Sequence, residues 1–125
     1  MGRLCIAVLT MALSGLVSAH QFTPTYPKLT PSFVEGLVST QMTLFNKRSD
    51  VEYYELSVFD KDWNEVPFAT TKKIIEVKYL ETKQIDIYIR KADKERAVYI
   101  CSRSKLKAKS ETSTLIASRI CSKIK

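Results

Sequence analysis

The chain has 125 residues, with 20 lysines and arginines against 13 aspartates and glutamates, which gives a formal net charge of +7. One domain fits that length, and 45% apolar with 26% charged residues is near the globular average, so a wholly disordered chain is excluded. Three glycines, four prolines and the absence of heptads exclude collagen-like and coiled-coil chains, while the single histidine, His20, excludes a multi-histidine zinc site and an internal histidine base.

The first nineteen residues carry Arg3, an apolar run from Leu4 to Leu13 and the small residues Val17-Ser18-Ala19. This is the layout of a secretory signal cleaved after Ala19, and it is too short to span a bilayer. The mature domain is then 20–125, periplasmic or secreted. Pro24, Pro27 and Pro31 restrict the next segment to a broken edge strand, because proline donates no ladder hydrogen bond.

Period-two alternation marks the strands that follow. Met42 and Leu44 share a face within 41–45, as do Tyr54, Leu56 and Val58, and again Ile85, Ile87 and Ile89. Val98 and Ile100 follow, then Ile116, Ile120 and Ile124. Turn residues at 46–50, 60–65, 91–95 and 109–113 separate the runs. About seven short strands at this spacing predict an all-β antiparallel sandwich. Its predicted core is Met42, Leu44, Tyr54, Leu56, Val58, Ile75, Val77, Ile85, Ile87, Ile89, Val98, Ile100, Ile116 and Ile120.

Within the 60–65 turn, Trp63 is either an interface anchor or a lid folded over the sandwich end. Asp60, Asp62 and Glu65 are of calcium-ligand type but lack the glycine and spacing of a binding loop, so no metal site is predicted. Nor does any Ser-His-Asp, Cys-His or paired-acid pattern occur; the reading is a non-enzyme without a cofactor.

Export removes Cys5 with the leader and leaves Cys101 and Cys121, which predicts a disulfide. The residue midway between them is Glu111, in the predicted 109–113 tip. A hairpin centred there sets the cysteines directly opposite, on the outer face of the sheet. The same register opposes Arg103 to Arg119, a like-charge pair that requires a bulge or a bound acid. Lys91, Lys94, Arg96, Arg103, Lys105, Lys107, Lys109, Arg119, Lys123 and Lys125 make the C-terminal third basic. This is either a surface for an anionic partner or solubilising charge along an edge strand, and export argues against nucleic acid.

The stretch Met42-Thr43-Leu44-Phe45-Asn46, then Tyr54-Glu55-Leu56-Ser57-Val58, Asp60-Lys61-Asp62 and Val66-Pro67-Phe68, resembles the N-terminal immunoglobulin-like (PapD-like) domain of periplasmic pilus-assembly chaperones. Asp93-Lys94-Glu95-Arg96-Ala97-Val98-Tyr99-Ile100 is similar to that family's charged turn and penultimate strand. Ala117-Ser118-Arg119 with Lys123 is similar to its last strand. The resemblance implies a module that binds pilus or other surface-structure subunits by strand addition, with two basic residues gripping the subunit's C-terminal carboxylate. Lys123 matches the last-strand lysine. Tyr26 falls where the family has arginine, and Lys28 is the substitute on the same face. The donated positions correspond to Ser118, Ile116 and Thr114, of which Ile116 alone is apolar. The second domain of such chaperones is absent after Lys125. The alternative is a secreted structural or adhesive immunoglobulin-like domain of an envelope or particle surface.

Overall fold

The computed structural model describes residues 20–105 and 118–125. The predicted signal segment, the 109–113 tip and Ile116 therefore lie outside the described residues. Among those described, eight strands and one 3-10 turn occur: β1 (Gln21–Thr23), β2 (Thr30–Pro31), β3 (Leu37–Phe45), β4 (Tyr53–Phe59), β5 (Ile74–Glu76), β6 (Thr82–Arg90), β7 (Tyr99–Lys105) and β8 (Arg119–Lys123), with the 3-10 turn at Lys91–Asp93.

They form two antiparallel sheets. In one, β3 pairs with β6 along one edge and with β1 and β2, in succession, along the other. The second sheet runs β5-β4-β7-β8. The chain crosses between sheets from β3 to β4 and from β6 to β7, as in an immunoglobulin-like sandwich.

Alternation sets which residues meet between the sheets. Val38, Met42 and Leu44 of β3, with Ile85, Ile87 and Ile89 of β6, face Tyr54, Leu56 and Val58 of β4 and Ile100 of β7. Each fully buried aliphatic side chain contributes roughly 1.5–3 kcal/mol. Ile75 and Ile120 of the predicted core are only partly buried and pack at its margin, and Val98 is also half-buried. All three lie near sheet edges or strand ends, where one side of the residue stays open. Phe22, Leu29, Val38, Val51, Val66 and Ala97 join the core although no period-two run marks them.

The N-terminal segment is more than a broken edge strand. Between β1 and β2 it leaves the first sheet, after a cis Thr23–Pro24 bond, and runs beside the end of β8. There Thr25 O accepts from Lys123 N at 3.0 Å and Pro27 O from Lys125 N at 2.9 Å. The prolines suit this path, because the segment contributes carbonyls and needs few donors.

Candidate functional site

Hydrogen-bond parity decides which groups of β8 are free. Ser104 N donates to Ser118 O, and Ile124 N donates to Val98 O. Even-numbered residues of β8 therefore face β7, and odd-numbered residues turn their backbone N–H and C=O outward. The outward groups of Lys123 and Lys125 are taken by the 25–27 segment. Among the described residues, no backbone bond reaches those of Arg119 and Cys121. The stretch expected to be an open edge is thus closed at its C-terminal end and open at Arg119–Cys121.

Lys123 lies on the outer face of β8, and Lys28 follows the segment that pairs with it; both are exposed. The structure brings their backbones to adjacent strands, and neither lysine makes an ion pair among the described residues. Tyr26 is also exposed, at 65%.

The bridge joins Cys101 and Cys121, which are register partners with Cα atoms 4.1 Å apart. By the same parity this is a non-hydrogen-bonded pair, the closer of the two antiparallel spacings. Both cysteines are on the outer face, since Ile100 and Ser102 point inward, yet Cys101 is fully buried. It stands in a middle strand, flanked by Ser57 and Cys121.

Arg103 does oppose Arg119, in unbroken register, so no bulge separates them. Arg119 instead runs along the sheet, its guanidinium carbon 5.1 Å from the Trp63 ring and 5.6 Å from that of Phe59. Cation–π attraction of this kind is worth about 0.5–1 kcal/mol at an exposed site. Trp63 lies flat on Tyr99, ring centroids 4.3 Å apart and planes within 2°, and remains 47% exposed. It covers the outer face of the sheet rather than the end of the sandwich. The turn holds it there: Asp60 accepts from the N–H groups of Asp62 and Asn64, both at 2.9 Å, while Trp63 adopts a left-handed φ of 65°. These bonds hold the Asp60 carboxyl below its usual range.

His20 is the largest departure from the sequence reading. It is not a free terminal residue but 2% exposed between the sheets. Nε2 lies 2.7 Å from Ser102 Oγ, Nδ1 lies 3.3 Å from Ser118 Oγ, and the ring packs 4.5 Å from Tyr54. Serine hydroxyls donate or accept, so a neutral imidazole is satisfied at both nitrogens. Burial pushes its pKa down to about 4. The sequence signal was the inner-face serines, Ser102, Ser104 and Ser122, where hydrophobic residues were anticipated.

Next to it Asn46 is fully buried. Its Nδ2 donates to Val51 O at 2.7 Å and Val77 O at 2.8 Å, while Oδ1 accepts from Tyr54 Oη and from Arg48 N. Burial pushes the Tyr54 phenol up to about 12. Arg48 forms a forked pair with Asp50, at 3.0 and 2.7 Å, which holds the Asp50 carboxyl below its usual range.

Two crossing sheets, a first strand shared between them and a final strand with a partly open edge define a PapD-like, immunoglobulin-type domain. The chain is similar in structure to the E. coli chaperone DraB, with a TM-score of 0.66 and 13% identity over 85% of this chain and 53% of that one. It is also similar to PapD-like domain 7 of human CEP192, with a TM-score of 0.54 and 6% identity over 84% of this chain and 81% of that one. The chain spans about half the length of the DraB chain it matches. No protein-family model matches it, and no curated protein does. Among the described residues, no helix is long and apolar enough to cross a membrane. The disulfide is compatible with a location outside the cytoplasm.

Proposed function

We propose that this domain is an exported, chaperone-like module that binds a subunit of a pilus or other surface structure by strand addition at β8. The observation that carries this reading is the open edge at Arg119 and Cys121, in a domain whose fold is that of the PapD-like chaperones. An extended segment laid along that edge hydrogen-bonds to their outward N–H and C=O groups and continues the β5-β4-β7-β8 sheet. The leader at residues 1–19 delivers the chain to the oxidising compartment in which the bridge forms. Lys123, with Lys28 from the neighbouring segment, receives the C-terminal carboxylate of the bound subunit. Ile116 supplies the apolar contact. The polar His20–Ser102–Ser118 group is enclosed between the sheets and serves structure rather than catalysis.

The test is direct binding of peptides from the subunits encoded beside this chain, made with a free and with an amidated C-terminus. Lys123→Ala weakens the free peptide about thirtyfold, the loss of one partner of a desolvated charge pair being typically about 2–5 kcal/mol. Amidation costs a similar factor, and the two losses do not add. Equal affinity for both peptides, unchanged by Lys123→Ala, removes the clamp and leaves the plain secreted structural domain.

A further inference from the structure

We propose that the strand received by β8 carries a carboxylate side chain opposite Arg119, so that ionic complementarity on the outer face selects the partner. The inference rests on strand addition at β8 and specifies what that strand must contain.

Reading across the outer face of the sheet, one row of register partners is Glu55 on β4, Arg103 on β7 and Arg119 on β8. Its charges run negative, positive, positive, and then meet the open edge. Glu55 is already engaged, its Oε2 lying 3.0 Å from Lys105 Nζ. Among the described residues, neither arginine has an acidic partner. Like charges directly opposite on neighbouring strands destabilise a sheet, and no bulge relieves them here. The next place in the row belongs to the incoming strand. An acid there balances the two arginines, and a guanidinium accepts it through paired, charge-assisted hydrogen bonds.

The register permits this contact. Arg119 turns its backbone outward, so the residue opposite it on an added strand forms a hydrogen-bonded pair with it and shares its face. The position is close to the limit of the open edge. Two residues on, the Lys123 N–H is bonded to Thr25 O, which stops an added strand from sliding further. The rest of the face has the same sign, with Lys105 and Lys123 beyond the arginines. Arg119 is exposed, and its guanidinium is parked over Trp63 and Phe59, within reach of a better partner.

Trp63 is the chain's only tryptophan and so reports on Arg119 directly. The experiment uses the exported protein with its bridge intact. Host peptides of alternating threonine and valine carry a single glutamate walked along their length, with glutamine and lysine counterparts. Binding is read by Trp63 fluorescence and by calorimetry. Glutamate tightens binding roughly tenfold over glutamine, at alternate positions only, because successive side chains change face. The advantage shrinks near 0.5 M salt, where the screening length falls to about 4 Å. Arg119→Glu reverses the preference toward lysine; if that variant lacks the native β-sheet circular dichroism, Arg119→Gln abolishes the preference instead. Equal binding of glutamate, glutamine and lysine peptides overturns the carboxylate inference and leaves strand addition standing. A glutamate preference that survives both arginine variants also overturns it. If no peptide binds at all, strand addition at β8 falls, and this inference with it.

Discussion

His20 makes the domain sensitive to mild acid. Its pKa in the folded chain is about 4, against 6.5 for a free imidazole. Between those values the unfolded chain binds a proton that the folded chain refuses, so stability falls as pH drops. The contribution is complete above pH 6.5 and is lost progressively toward pH 4. Unfolding by urea at pH 7.5 and at pH 5 should differ by roughly 2 kcal/mol, and His20→Gln should flatten that slope. The carboxylates of Asp50, Asp60 and Asp93 act in a lower window. Each is held below its ordinary value by hydrogen bonds, from Arg48, Asn64 and Arg90 respectively, so their stabilisation disappears only below about pH 4. Asn46 is the other sensitive residue. Asn46→Ala orphans two backbone carbonyls, the Arg48 N–H and the Tyr54 hydroxyl in the interior, and should cost about 3 kcal/mol or more in thermal or urea unfolding.

The element most dependent on covalent support is the β7–β8 hairpin. Its bridge closes a sequence separation of 20 residues, which a chain-entropy treatment values at about 3 kcal/mol. Replacing both cysteines by serine should therefore lower stability by up to that amount, and the native chain should weigh about two daltons less than its reduced form. This pairing was legible because spacing, parity and tip composition all converged on one register. The strands β3, β4 and β6 were legible for a related reason: β-branched and aromatic residues alternate through them without interruption. The N-terminal segment was not. Its partners are carbonyl bonds to Lys123 and Lys125, and backbone bonds leave no trace in side-chain pattern. His20 escaped notice because a lone histidine beside small polar residues has no periodicity. Trp63 was placed only between two alternatives, since the stacking on Tyr99 depends on a turn conformation that its neighbours dictate.

For the whole molecule, the fold could be read but the partner could not, because a sandwich edge accepts any extended chain through the same backbone groups. The distinguishing features are the charges and lysines around that edge, and they take their meaning only from register. A bound strand should also stabilise the domain: a peptide at a hundred times its Kd adds about 2.7 kcal/mol to unfolding, visible as a rise in Tm that depends on peptide concentration. A peptide that binds elsewhere without completing the sheet raises Tm as well, but its effect is insensitive to Arg119.

One segment, residues 20–31, closes the free side of β3 in one sheet and the end of β8 in the other. Its detachment is a single local event with two results. Both sheets then present unsatisfied rims at once, on a molecule that has also released its own loose strand. Such a species has a donor and two acceptors, so it can pass its strand to a second copy and receive one from a third. Linear runaway exchange, rather than a closed dimer, is the assembly this geometry favours under acid, when protonated His20 no longer fits its berth and the segment lets go.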